Sequence, residues 1–418
     1  MKCIKLMNNI IIIGAGASGM MAAIWAKKFN PNCKITIFDK NKSFGRKLSI
    51  TGKGRCNVTN ACKVEDLIIN TPRNGKFLYS AFNSFSSEDV MGFFERNNVP
   101  LKIERGNRVF PTSDKASDIV RTLERLTKNS ADFICSRVDK IIVKNNHAIG
   151  VTSNGKNFFA DAVILSSGGK SYPGTGSNGD SYFLAKSIGH TIIPLEASLV
   201  GLESNESFIK SLAGLSLINI GFKLFDSKNK LCFSDMGEML FTHKGISGPL
   251  VLSASAFIKD GLKYFCEIDL KPALDETKLD KRIQRDFSKL LNKNFSNSLT
   301  DLLPQALIPV IINQVGIPYD KKVNSITKQE RQRLVYTLKH FKVNITQKRP
   351  ISEAIITRGG ISTKEIDPKT MLSRVVKNLY ITGEAIDVDA FTGGFNLQIA
   401  FSTGYLAGKS AALSNSII

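Results

Sequence analysis

Acidic residues are scarce in this chain. Asp and Glu number 36 against 57 Lys and Arg, leaving a net charge of +21. That imbalance favours polyanionic partners, nucleic acid or an anionic lipid surface, because net charge bears on association and not on fold. Proline is also thin, 13 in 418 residues, and no repeat or low-complexity linker is visible. A collagen-like chain, a coiled coil and a mostly disordered chain are excluded. Histidines number four, and the seven cysteines stand at positions 3, 33, 56, 62, 135, 232 and 266 without zinc-ligand or thioredoxin-like spacing. A reduced, cytoplasmic protein with no metal site and no hydrolase triad is therefore expected. Long apolar runs are missing as well. Lys2 and Lys5 precede an uncharged stretch from 6 to 26, but Asn8, Asn9, Gly14, Gly16, Ser18 and Gly19 interrupt it. A strand and a glycine turn account for it better than a signal peptide or a membrane span.

What is present is a globular composition, 42% apolar, and a length that at about 150 residues per domain suggests two or three domains. The β-branched run 10–13 ends at Gly14-Ala15-Gly16-Ala17-Ser18-Gly19. A helix is expected over 18–29, closed by Asn30-Pro31, and then a strand over 33–38 ending at Asp39. This is a βαβ unit of the expected size. Gly14 permits the tight turn, Gly16 lets a pyrophosphate approach the backbone, and Gly19 lets helix and strand pack closely. The diphosphate charge then meets the free N–H groups at the helix start. Asp39, 20 residues beyond Gly19, accepts from the adenosine ribose hydroxyls. Residues 174–179 also match G-x-G-x-x-G but follow Tyr172-Pro173 and no strand, so they are rejected as a second dinucleotide site.

Further along, 85–98 and 114–128 read as amphipathic helices, with a hairpin turn over 105–111 between them. Segments around 133–165 read as strands that end in Gly168-Gly169. The stretch 198–270 is β-rich, and 271–349 is helical and basic. A strand over 378–382 leads into Gly383-Glu384, and a last helix runs from 396 to 412. The fold class expected is α/β, a dinucleotide-binding domain split between the chain ends (1–194 and 350–418) around an inserted β-rich module (195–270) and a helical one (271–349).

The glycine motif serves FAD and NAD equally. Two other features favour a flavin. The segment 45–60 is dense in Gly, cations and small polar residues and has no acid, so Arg46 and Lys47 can neutralise a diphosphate. Gly393-Gly394-Phe395-Asn396 opens the last helix, and a second helix N-terminus suits the N1/C2 carbonyl side of an isoalloxazine.

These blocks together resemble the YhiN/BaiN-like family of FAD-dependent flavoproteins. Further residues carrying the likeness are Gly106-Asn107-Arg108-Val109-Phe110-Pro111, Gly168 through Ser177, Gly237 through Pro249, Thr357-Arg358-Gly359-Gly360, and Thr392 through Gln398. The chain departs from the family pattern at Thr51 and Lys53, where Ser and Gly are usual, and at Phe395, often Tyr. The resemblance implies a FAD domain built from both chain ends, with an inserted β-barrel and a small helical module. By carry-over, Gly14, Gly16, Gly19 and Asp39 serve the ADP half of the cofactor, and Gly383, Glu384, Gly394 and Asn396 the ribityl and isoalloxazine half. Ala15, Ala17, Ser18, Lys40, Gly168, Asp387, Phe395 and Leu397 are further cofactor-binding candidates. It also implies reduction by NAD(P)H and, for some members, conversion of a uridine in large-subunit ribosomal RNA to dihydrouridine. Older family labels point instead to oxidation or reduction of a small metabolite, including steroids. A flavin-containing RNA-binding protein without catalysis is the third reading.

From 321 to 349 there are nine Lys or Arg and one acid, Glu330. Lys328, Arg331 and Arg333, at helical spacing, are expected to form a basic face for the RNA backbone. Reducing a uridine also needs a proton at C5 beside the hydride at C6, hence a general acid. Cys56, whose pKa the cationic loop is expected to lower, and His243, in a glycine-punctuated loop, are the two candidates. His147 and His190 belong to no constellation, and His340 reads as part of the basic surface.

Overall fold

In a computed structural model, residues 4–6 and 9–417 are described. Lys2, Cys3 and Asn8 lie outside the described residues. The chain divides into two compact units, the first made of everything up to Ser198 and from Ile351 onward, the second of Leu199–Pro350.

The first unit is built on five parallel strands: β1 (Asn9–Ile13), β2 (Lys34–Asp39), β3 (Asp132–Cys135), β4 (Ala162–Leu165) and β5 (Leu379–Ile381). Their order across the sheet is β5-β4-β1-β2-β3. Ile10 to Ile13 and all of β4 are buried, as a sheet covered on both faces requires, which is why these strands read as unbroken apolar runs. The helix α1 (Ala17–Phe29) follows β1, and α2 (Phe395–Leu413) follows β5. The result is a Rossmann-like α/β fold. Beside the antiparallel pairing of Ile4–Leu6 with Asn415–Ile417, three further antiparallel pieces complete the unit. One is a meander of Lys140–Lys144, His147–Ser153 and Lys156–Phe159; the second joins Leu101–Glu104, Arg108–Pro111 and Thr59–Asn60. The third is a ribbon pairing Ile192–Ser198 with Ile356–Ile361.

Two glycines decide how α1 and α2 meet. A Cβ on Gly404 would lie 2.3 Å from the Ser18 carbonyl oxygen, and one on Gly408 would lie 2.3 Å from that of Ala22. The helices are thus in backbone contact and run in the same direction. Gly394 lies ten residues before Gly404 and Gly16 two before Ser18, so at 1.5 Å per residue the helix starts are offset by about 12 Å.

The second unit carries a seven-stranded sheet with helices Glu276–Ser288, Ile308–Val315 and Lys328–Lys339. The expected β-barrel is not found. The strand order has as its two ends successive parts of one extended run, Phe341–Ile345 laddered to Tyr264–Asp269 and Gln347–Lys348 laddered to Leu202–Glu203, and no ladder joins the two ends among the described residues. That run also corrects the helical reading of the tail of 271–349. Its residues Phe341, Val343 and Ile345 are buried while Lys342 and Asn344 are exposed, the alternation of a half-buried strand.

The glycine contact has a measurable consequence. Gly408→Ala forces the two helices apart, and destabilisation by about 1–3 kcal/mol, the usual cost of overpacking, is expected in denaturant unfolding.

Candidate functional site

The glycine turn after β1 is shaped by what surrounds it. Gly14 has φ +109°, its N–H donates to Phe38 O at 2.7 Å, and a Cβ there would meet the Ser166 carbonyl at 2.6 Å. A Cβ on Gly19 would meet Gly14 O at 2.0 Å. Around Gly16, in contrast, nothing stands within 4 Å of the Cβ position, leaving the open backbone that a pyrophosphate needs. The first turns of α1 and α2 contain no acidic residue and neither helix has a side-chain cap. The N–H groups of Ala17 and Ser18, and of Phe395 and Asn396, therefore belong to turns without intrahelical acceptors.

The acid-free segment 45–60 spans the distance between these two helix starts. At one end Gly45 N–H donates to Ala15 O at 3.0 Å. At the other, the Thr59 backbone passes so close to Gly394 (φ +100°) that a Cβ there would lie 2.3 Å from it. Asn60 Nδ2 donates to Gly393 O at 3.1 Å, and Thr59 Oγ1 donates to Gln398 Oε1 at 2.5 Å. Asn57 Oδ1 on this segment, with Thr382 Oγ1 and Asp389 Oδ1 on the segments leading to α2, is buried without a hydrogen-bond partner among the described residues. Buried polar atoms are normally satisfied, so these orphans, the open space at Gly16 and the two uncapped helices fit a long polar ligand such as FAD.

The carboxylate of Asp39 accepts from Ala15 N–H, Asn41 N–H and Asn41 Nδ2, at 2.8, 2.8 and 3.1 Å. With about four acceptor positions on a carboxylate, capacity for a ribose hydroxyl remains. The expected diphosphate cations are otherwise engaged. Lys40 Nζ is 2.6 Å from Asp180 Oδ2, and Arg46, exposed, donates to Asn41 Oδ1 at 2.8 Å. Lys47 donates to Glu384 Oε2 and to Ser171 Oγ, both at 2.6 Å.

Glu384, expected at the ribityl chain, instead ties four segments together. Besides Lys47 it accepts from Ser171 Oγ and from Thr357 N–H, each at 2.8 Å, and its carbonyl accepts from Tyr182 at 3.1 Å. Burial pushes its carboxyl up, but the Lys47 charge and these hydrogen bonds outweigh burial and hold it below the ordinary value. Gly169 beside it has no room for a side chain, since a Cβ would lie 2.5 Å from Thr357 Oγ1, while Gly168 turns with φ +77°. Gly383 takes φ +65°, where a Cβ would lie 2.7 Å from Ser18 Oγ. Asp387 pairs with Arg73 and accepts from Asn74 Nδ2 at 3.1 Å. The Asn396 amide holds Ala390, accepting from its N–H at 3.0 Å and donating to its carbonyl at 2.8 Å, so it fastens the preceding loop to the start of α2. Phe395 is buried and Leu397 half-buried in the same turn.

Cys56 departs from expectation. It is fully buried at φ +60°, and burial pushes its thiol up to about 12. The neighbouring Arg55 is bound to Glu104 and Asp114, so no cation activates it. His243, in the second unit, is exposed in the turn between Leu231–Thr242 and Gly245–Ser247. The basic face over Lys328, Arg331 and Arg333 does not form. At 100° per residue Arg331 and Arg333 lie about 160° apart around the helix. Arg331 is 2.7 Å from Asp280, and Arg333, though exposed like Lys328, donates to Val315 O at 3.3 Å on another side of the helix. His190 is buried between Glu365 and Ser373, and His340 stacks on Tyr336 beside Glu267. Ser171 and Thr357 lie in segments that carry the family likeness but have no role assigned there, while Arg73 and Asp389 lie outside those segments. The pair of acids in Asp387-Val388-Asp389, within a run of apolar residues ahead of two glycines, is the signal available for Asp389.

The family model described as HI0933-like protein Rossmann domain matches residues 8–410. A 3-dehydro-bile acid delta(4,6)-reductase from Clostridium scindens is 31% identical over 97% of this chain and 99% of its own. A ribosomal RNA dihydrouridine synthase from Escherichia coli is 28% identical over 98% of this chain and 99% of its own. Among solved structures, the open conformation of a flavocytochrome c3 fumarate reductase shares the fold, with a TM-score of 0.52 and 17% identity over 97% of this chain and 78% of that one.

Replacing Lys47 by Met leaves the half-buried Glu384 carboxylate without its cation, though with its Ser171 and Thr357 hydrogen bonds, and a loss of about 1–3 kcal/mol is expected. In the unaltered chain Glu384 contributes stability above its unfolded pKa that is lost as pH falls through its lower folded value. In Lys47→Met that acid-side loss moves to higher pH, which denaturant unfolding between about pH 7 and pH 4, the range that brackets free Glu, measures.

Proposed function

Because this chain belongs to the HI0933-like family of FAD-dependent oxidoreductases, we propose that it adds hydrogen across a carbon–carbon double bond conjugated to a carbonyl. The substrate in this reading is a uridine of large-subunit ribosomal RNA, the product is dihydrouridine, and NAD(P)H is the source of electrons. The observation that carries the redox part is the pair of uncapped, same-direction helix starts joined by an acid-free segment. FAD, when bound, supplies the hydride. Gly14, Gly16 and the N–H groups of Ala17 and Ser18 would hold its diphosphate, and Asp39 its ribose. The N–H groups opening α2, from Phe395 to Leu397, would face the carbonyl side of its ring, where negative charge develops on reduction. Gly383 and Gly394 would let the chain pass close to it.

Charge supports RNA over a small substrate. The net +21 includes seven cations and no acid between residues 40 and 63, and Lys42, Arg46 and Lys53 in that stretch are exposed. Lys53 is presented from a left-handed turn at φ +58°. Phosphate contacts of this kind position a polyanion without reading its sequence, and a single base flipped from the strand would enter the flavin site. A second reading is favoured by the bile-acid reductase relative, whose named substrate also joins a ketone to double bonds. There the same chemistry acts on a small conjugated ketone and the charge is incidental.

Two results are expected. The purified protein is yellow, with FAD released on denaturation, and its affinity for ribosomal RNA falls steeply as salt rises. Mass spectrometry of ribosomal nucleosides then shows dihydrouridine lost on deletion of the gene and restored by its return. Unchanged dihydrouridine with salt-independent RNA binding overturns the RNA reading in favour of the small conjugated ketone.

A further inference from the structure

Asp389 is the one acid on the loop into α2 that the protein leaves half satisfied. The residue is 2% exposed. Oδ2 accepts from Ser198 Oγ at 2.7 Å, while Oδ1 is shielded from solvent and has no hydrogen-bond partner among the described residues. Its neighbour Asp387 differs, being locked to Arg73 and Asn74. The place of Asp389 is well determined. The next residue, Ala390, is gripped at both its N–H and its carbonyl by Asn396, in the first turn of α2, and Ser198 holds it from the ribbon. A buried carboxylate with a single hydrogen bond is costly, and such groups keep their proton instead.

We propose that Asp389 is stored as a neutral carboxylic acid at the start of α2 and is the proton source for the double-bond reduction. This rests on the functional reading above and completes it, since hydride addition to a conjugated carbonyl leaves the carbon next to that carbonyl in need of a proton. The Asp389 O–H bond breaks, a C–H bond forms at that carbon (C5 of a uracil), and the acid is left as a carboxylate. The hydride comes from the reduced flavin, which ends oxidised, and the acid regains its proton from water before the next turnover. The groups that act on its charge are Arg358 on the ribbon and Arg73 in the loop before Asn74, which favour the anion, and Asp387, which opposes it. Burial outweighs the two arginines and raises the carboxyl above its ordinary value.

The holoenzyme provides the test. Infrared spectra of the FAD-loaded protein near pH 7 are expected to show a protonated-carboxyl C=O band that Asp389→Asn removes. Dithionite-reduced holoenzyme mixed with a uridine-containing ribosomal RNA fragment, or with a small conjugated ketone, is expected to reoxidise about 10²- to 10⁴-fold more slowly in Asp389→Asn, the usual contribution of a positioned acid. Absence of the band in the unaltered protein overturns the stored proton, independently of any substrate and of whether the variant folds. A band that is present, with reoxidation unimpaired in a variant that retains FAD, overturns its use in catalysis. Unaltered protein that is reoxidised by neither substrate overturns the functional reading and the delivery step with it, and the two substrate arms show which source of the conjugated carbonyl is used.

Discussion

The arrangement depends on a contact that has no side chains in it. Gly404 and Gly408 let α2 lie with its backbone against that of α1 at Ser18 and Ala22, and nothing larger than hydrogen fits there. Helices normally keep 8–10 Å between their axes because side chains intervene. Removing those side chains brings two elements from opposite ends of the sequence into one rigid pair with parallel dipoles. Both helix starts then face the same way, offset along the common direction by about 12 Å, and the segment 45–60 is anchored at each. A long cofactor with a diphosphate at one end and a polarisable ring at the other matches that geometry. The sheet strengthens the pairing, since β4 lies between β1 and β5 and so joins the two chain ends a second time. A long insertion between them is tolerable because the entropy of loop closure grows only slowly with length.

The charged side chains around the cradle serve mostly to hold the protein together. Lys47 is bound to Glu384, Lys40 to Asp180, Arg73 to Asp387 and Arg55 to Glu104 and Asp114. In the proposed reading, recognition of an anionic cofactor would fall to backbone N–H groups at uncapped helices, which are already oriented and need no rearrangement when charge develops.

Burial acts on Cys56 and Asp389 in the same direction, raising both, and the chemical consequences are opposite. A thiol moved up to about 12 is too weak an acid and too rarely a thiolate to take part in proton transfer near neutrality. A carboxyl moved up approaches the operating pH, where a group can both hold and release a proton. The same physical cause thus retires one sequence candidate and brings forward a residue that the sequence hardly marked.

Local pattern by itself determined the elements whose signal lies within a few neighbouring residues. The isoleucine run into the glycine turn, Asp39 at the end of the next strand, and the Gly393-Gly394 opening of the last helix stand where periodicity and turn chemistry place them, because backbone sterics and strand burial are local or nearly so. The Rossmann-like α/β fold followed from that. Charge partners were not legible. That Glu384 is satisfied by Lys47, Ser171 and Thr357 and that Arg331 turns to Asp280 depend on segments far apart in sequence, and a linear pattern carries no distance between them. Only the folded chain decides which cation meets which acid, because a pair forms at 2.6 Å or not at all, and only burial decides which acid keeps its proton.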